Sequence, residues 1–73
     1  MITFITEDHV TESDGKFITE ASSLGHRAGE PMPMTFSTDL GNGMAFRFLR
    51  LEQGEAWIFR QAGSGRELHI LND

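Results

Sequence analysis

The second half of the chain contains four short strand-like stretches, at 34–39, 44–51, 56–61 and 66–71, and the first of them alternates apolar and polar residues. Alternation with a period of two is typical of β-strands that have one face on a core. The segments between them are rich in Gly, Asn and Ser, and about three to five intervening residues join antiparallel neighbours. The pattern therefore predicts an antiparallel β-meander over residues 34–73.

The stretch at 44–51 is the most apolar of the four. Counting alternate residues puts Met44, Phe46 and Phe48 on one face, and Arg47, Leu49 and Leu51 on the other. A strand with apolar residues on both faces is expected at the centre of a sheet, covered on each side.

The first half of the chain has a weaker pattern. Residues 2–6 are β-branched and aromatic, which predicts a strand. The polar segment that follows ends in Asp14-Gly15, a turn signal. Residues 25–33 are a loop by composition, because Pro31 and Pro33 impose extended geometry on their neighbours.

Residues 17–24 allow two interpretations. Phe17, Ala21 and Leu24 keep helical spacing, and Gly25 suits the position after a helix end, so we favour a short helical turn. The alternative is that this segment forms a hairpin with residues 8–12. The predicted fold class is thus mainly β: a small antiparallel meander of four to five strands, with one short helix near residues 17–24.

Composition limits the chain to one small domain. It has 73 residues and a net charge of −5. Residues 1–30 hold six acidic and two basic side chains, whereas residues 31–73 hold five acidic and four basic ones. Most of the Leu, Ile, Val and Phe residues lie after residue 33. We therefore expect an acidic, loosely ordered lead segment over 1–33 and a core mainly within 34–71.

Several classes of protein are disfavoured by the same numbers. The chain has no Cys, so a disulfide framework and a zinc finger are excluded. No run approaches the ~20 apolar residues of a membrane helix. The N-terminus does not resemble a secretory signal. A cytoplasmic protein that does not bind membranes is the expectation.

Motifs for catalysis or cofactor binding are also missing from the sequence. His9, His26 and His69 are far apart and form no paired metal motif. The Gly-rich segments at 41–43 and 63–65 lie between predicted strands, not before a helix as phosphate loops require. We expect no enzyme activity, no metal and no cofactor.

Protein binding is the function class that the sequence favours most. The basic residues of the second half are all arginines, whose planar fork suits carboxylates and phosphates. Met32 lies between two prolines, and an exposed Met is useful at an adaptable interface. The candidate partner-binding residues are Arg47, Arg50, Arg60, Arg66 and Met32.

A single-stranded nucleic-acid-binding sheet is an alternative, because aromatic residues interleave with arginines at 46–50 and 57–60. In that case Phe46, Phe48 and Trp57 would stack on bases. The excess of acidic residues makes direct nucleic-acid binding the weaker expectation.

The small size, the acidity and the Gly-rich, β-type C-terminal half resemble small phage-encoded transcription regulators that bind bacterial RNA polymerase. The resemblance implies a host-takeover factor that inhibits initiation by interfering with σ-factor engagement, with altered termination as a further activity. Separately, we expect the chain to be a monomer. The resemblance rests on no sequence motif, so no functional residue of those regulators is assigned to a position in this chain. An anti-CRISPR protein, or another inhibitor of a nucleic-acid-handling complex, remains open as a second alternative.

Overall fold

The computed structural model describes residues 4–41, 44–53 and 55–72. Within these ranges the chain forms seven strands, with two 3-10 turns at Glu7–His9 and Ser22–Leu24. The strands are β1 (Phe4–Ile5), β2 (Thr11–Ser13), β3 (Lys16–Glu20), β4 (Thr35–Thr38), β5 (Phe46–Leu51), β6 (Trp57–Gln61) and β7 (Glu67–Leu71). The predicted strands of the second half are thus present, within two residues at each end. Residues 2 and 3 of the predicted first strand, and Asn42, Gly43 and Gly54 of the predicted turns, lie outside the described residues.

All seven strands belong to one curled mixed sheet, a half-barrel, in the order β1-β4-β5-β6-β7-β3-β2. Strands β4 to β7 run antiparallel to one another, as the meander predicts. The remaining strands flank this meander. β1 pairs with β4 in parallel, β3 pairs with β7 in parallel, and β2 forms an antiparallel hairpin with β3.

The prediction of a purely antiparallel sheet of four to five strands was therefore wrong in its details, although the mainly β class is confirmed. The cause is the lead segment, which adds a strand at one edge and a hairpin at the other. Parallel pairing joins segments far apart in sequence, such as Phe17 and Leu68. Local turn and alternation patterns carry no signal for such a pair.

The short helix predicted near residues 17–24 is also corrected. Lys16–Glu20 is strand β3, and only Ser22–Leu24 makes a single 3-10 turn. Phe17 and Thr19 point into the core with a period of two, while Lys16 and Ile18 lie on the other face. The hairpin alternative was closer, because the Asp14-Gly15 turn joins β2 to β3. Both turn residues have positive φ, at 52° and 77°, as a two-residue hairpin of type I′ requires.

The core fills the concave side of the sheet. The buried cluster draws on both halves of the chain: Ile5, Phe17, Ala21, Leu24, Phe36, Leu40, Phe46, Phe59, Leu68 and Ile70. The lead segment thus supplies four of the ten residues. Two buried threonines attach neighbouring chain segments, since the Thr38 hydroxyl donates to the Ile5 carbonyl at 2.6 Å and the Thr19 hydroxyl to the His9 carbonyl at 2.6 Å.

Strand β5 contains a bulge that changes which residues share a face. Phe48 pairs with Phe59, but the next pair is Arg50 with Ile58, so Leu49 is an extra residue. Beyond the bulge Arg50 lies on the outer face with Arg47. Leu51 moves to the face of its partner Trp57.

The expectation that β5 is covered on both faces was wrong. Only its concave side packs on the core, and Leu49 and Leu51 are 38% and 59% exposed. The bulge turns Leu49 out of the sheet, and Leu51 lies at the end of the strand.

Gln61, at the end of β6, is the polar residue that closes one end of the sheet. It is 1% exposed. Its amide nitrogen donates to the carbonyls of Leu40 and Met44 at 2.9 and 3.0 Å, and its amide oxygen accepts from the Ser64 hydroxyl at 2.8 Å. One side chain therefore joins the β4–β5 connection to the β6–β7 turn.

Candidate protein-binding face

Three of the four arginines singled out in the sequence lie together on the outer, convex face of the sheet. Arg47 of β5 and Arg60 of β6 are directly opposite each other in the ladder. The bulge at Leu49 brings Arg50 to the same face, opposite Ile58. With Glu67 and His69 of β7, which continue these two rows, they form what we call the outer arginine face.

Glu67 organises this face. Its carboxylate lies 2.9 Å from His69 Nε2, 3.7 Å from Arg50 Nη1 and 3.6 Å from Arg60 Nη2. Arg50 also donates from Nε to Glu52 at 2.8 Å. Glu67 was not among the candidate residues predicted from the sequence. Its position two residues before His69 was the available signal, because residues two apart in a strand share a face.

The charges on this face shift two pKa values in opposite directions. The hydrogen bond from His69, with the nearby charges of Arg50 and Arg60, lowers the pKa of Glu67 below its usual range against the opposing effect of burial. The Glu52 hydrogen bond raises the pKa of Arg50. Glu67 therefore stays ionised and holds two arginines on the surface of the sheet.

Arg47 differs from its two neighbours. Within the described part of the chain it takes part in no ion pair, and it is exposed. Together with Arg60 it borders an open depression of about 520 Å³. The other residues that line the depression are Phe48, Leu49, Gln61, Ala62, Gly63 and Gly65.

Arg66, the fourth arginine, lies elsewhere and has a structural role. Its guanidinium carbon sits 4.2 Å from the centre of the Phe17 ring. Its Nε donates to the Gly15 carbonyl at 3.2 Å, and its Nη2 pairs with Glu12. Arg66 thus clamps the β2–β3 hairpin to the start of β7, and its guanidinium is already occupied.

Met32 is half-buried and packs against the core cluster. Met34, by contrast, is 62% exposed. The prolines on both sides of Met32 extend the chain. Of the two methionines, Met34 is the more exposed, and it lies just before β4 begins.

The three histidines lie apart from one another and have different partners. His9 Nδ1 accepts from the Thr6 amide at 3.1 Å. His26 packs on Trp57 with ring centres 5.3 Å apart. His69 pairs with Glu67. Across the described ranges no three His, Asp or Glu residues are grouped so as to hold a metal ion.

Aromatic and basic residues lie on opposite faces of the sheet. Phe46 and Phe59 are fully buried in the concave core, and Phe48 and Trp57 pack against it. The arginines of the outer arginine face point the other way. The outer surface therefore offers positive charge without the exposed rings on which bases stack.

In the part of the chain that the structure describes, no helix is long and apolar enough to cross a membrane. Comparison of the sequence and structure with protein-family models, curated proteins and solved structures finds no match.

Proposed function

We propose that this chain is a regulatory binding protein that docks on another protein through its outer arginine face. The observation that carries the proposal is the grouping of Arg47, Arg50 and Arg60 on one exposed surface. The arginine fork binds carboxylates in a bidentate manner, and arginine is enriched at protein interfaces.

Bacterial RNA polymerase is the partner we propose. The support is the resemblance in size, charge and β-type C-terminal half to phage-encoded regulators of that enzyme. In this proposal the protein occupies a surface of the polymerase that σ factor needs, and thereby inhibits initiation. The outer arginine face supplies the contact with acidic side chains, and the acidic residues of the lead segment face basic parts of the enzyme.

The first experiment is a direct binding measurement with the purified polymerase core and the full chain. We expect binding by the wild type, and at least about tenfold weaker binding by the double variant Arg47→Glu with Arg60→Glu. Arg27→Glu is the matched control, because Arg27 is an exposed arginine of the 25–33 loop. Circular dichroism checks that each variant keeps its sheet. Lack of binding by the wild type overturns the proposed partner.

The second experiment tests the mechanism by order of addition. Inhibition of transcription initiation should be strong when the protein meets the core enzyme before σ factor, and weaker when the σ-containing enzyme is already assembled. Equal inhibition in both orders contradicts competition with σ factor. Affinity capture from a CRISPR-active host that recovers a CRISPR effector, and no polymerase subunits, favours the alternative inhibitor class.

A sheet that binds single-stranded nucleic acid is the weaker candidate. It requires Phe46, Phe48 and Trp57 on the same surface as the arginines, and these rings belong to the concave side. A labelled oligonucleotide that quenches Trp57 fluorescence at low salt would reopen this alternative.

A further inference from the structure

The Arg47–Arg60 pair leaves an excess of positive charge on the outer arginine face. Like charges placed directly opposite each other on neighbouring strands destabilise a sheet. The row that contains them runs from Thr35 through Arg47 and Arg60 to Glu67. It therefore holds two positive charges and one carboxylate, which is shared with Arg50 and His69.

The depression beside this pair has walls of two kinds. Arg47 and Arg60 line one part of it, and Leu49 adds apolar surface. The remaining wall is the β6–β7 turn, where Gly63 and Gly65 leave the backbone accessible. This turn is fixed in place, because Gly65 N donates to the Gln61 carbonyl at 3.1 Å and Ser64 donates to the Gln61 amide oxygen at 2.8 Å. A ligand thus meets a pre-organised site.

We infer that the Arg47–Arg60 depression is the anchor site of the interface and binds a carboxylate side chain that a peptide segment presents next to an apolar side chain. This inference rests on the proposed function and names the chemistry of the partner segment. The carboxylate neutralises the excess charge of the arginine row. The apolar neighbour covers Leu49, which the bulge leaves exposed.

A peptide fits these features better than a nucleic acid does. The site offers two arginines and apolar surface over a short distance, and the aromatic rings needed for base stacking lie on the other side of the sheet. A net charge of −5 opposes every anionic ligand, but it opposes a long run of phosphates more strongly than one or two carboxylates.

The test is an NMR titration of the full chain with two short synthetic peptides that differ only in charge. One carries two Asp residues next to Leu, and the other has Asn in place of both Asp. We expect the acidic peptide to shift the amide signals of Leu49, Gly63 and Gly65, and the amide peptide to shift none of them.

Variants identify the arginines involved. Arg47→Gln and Arg60→Gln should each weaken binding of the acidic peptide about tenfold, whereas Arg27→Gln should leave it unchanged. Arg47→Lys should restore only part of the affinity, because an ammonium lacks the bidentate fork. Equal binding of both peptides, or unchanged affinity in Arg47→Gln and Arg60→Gln, overturns the inference.

A single-stranded oligonucleotide provides the competing ligand. Tighter binding of the oligonucleotide than of the acidic peptide at the same residues overturns the inference in favour of phosphate recognition.

The peptide titration and the polymerase-binding measurement test different claims. Peptide binding at the depression without polymerase binding supports the anchor site and rejects the proposed partner, whereas polymerase binding without any response to the peptide rejects the anchor site.

Discussion

At the scale of single residues, Gln61 shows how one buried amide can hold two loops. Its hydrogen bonds reach the carbonyls of Leu40 and Met44 and the hydroxyl of Ser64. Gly41 approaches it so closely that an added Cβ would lie 2.8 Å from the Gln61 amide oxygen. A side chain at that position would have to displace the Gln61 amide, and the positive φ of 62° also favours glycine there.

Replacing Gln61 with Leu should lower the free energy of unfolding by about 2 kcal/mol, since buried acceptors lose their donor. Urea denaturation measures the change. Gln53→Leu is the matched control, because Gln53 is exposed in the β5–β6 turn, and its effect should stay within about 0.5 kcal/mol. Equal stability of the two variants would contradict the role given to Gln61.

Glu67 makes part of the stability depend on pH. Its pKa is lowered in the folded protein, first by the hydrogen bond from His69. A lowered folded-state pKa contributes stability above the unfolded value, and this contribution is lost as the pH falls through the folded-state pKa. The difference in unfolding free energy between wild type and Glu67→Gln should therefore shrink from about pH 7 to about pH 3.

Glu20→Gln is the control for this pH dependence, because it removes one exposed carboxylate at the end of β3. Denaturant titrations at several pH values compare the three proteins. A difference between wild type and Glu67→Gln that stays constant down to about pH 3 would mean that the carboxylate of Glu67 does not stabilise the fold.

At the scale of elements, the β2–β3 hairpin depends on a clamp from the other end of the chain. Arg66 covers the Phe17 ring and binds Gly15 and Glu12. Arg66→Ala should cost about 1 kcal/mol of stability through the lost cation–π contact and hydrogen bonds. Amide hydrogen exchange should accelerate first in β2 and β3.

The same measurement on Arg27→Ala gives the control, with exchange in the hairpin unchanged. Uniform acceleration over all strands in Arg66→Ala would show that the hairpin is not a separate unit. Because Arg66 supports the fold, Arg66→Glu is expected to reduce partner binding only together with a loss of structure.

The elements of the second half could be predicted because their signals are local. Short runs of apolar, aromatic and β-branched residues in β4 to β7, and the glycines between these strands, define each strand without reference to the rest of the chain. In the first half, the spacing of Phe17, Ala21 and Leu24 fits a helix as well as it fits a strand followed by a turn. Pairing with β7 is what makes this segment a strand. That pairing joins residues about fifty positions apart, and no short pattern encodes it.

The candidate site could be predicted only in part for a related reason. Arg47 and Arg60 follow from strand alternation, but Arg50 reaches the outer face through the extra residue Leu49. A bulge of this kind shifts every later residue to the opposite face. The burial of Met32 and the partners of Arg66 depend on residues far away in the sequence. The sequence alone does not show that these residues are in contact.

At the scale of the whole molecule, β7 joins the two parts of the chain. It lies between β6 of the meander and β3 of the lead segment. A substitution of Leu68, which is fully buried in β7, should therefore destabilise both parts of the chain. Leu68→Ala is expected to lower the free energy of unfolding by about 3 kcal/mol.

Leu71→Ala, which truncates a side chain 42% exposed on the same strand, is the matched control and should cost less than about 1 kcal/mol. In Leu68→Ala, hydrogen exchange should accelerate together in β3 and β6. Acceleration confined to one of these strands would show that the two parts open independently.

The central position of β7 also has a consequence for synthesis on the ribosome. The β2–β3 hairpin is made early, yet the strand on which it docks is the last of the seven described strands to be made. Until β7 emerges, Phe17 has no Leu68 to pair with, and one edge of β3 is open. Distant pairings of this kind form slowly, and open strand edges favour aggregation. The nascent chain is therefore most exposed to chaperones and proteases just before its synthesis reaches β7.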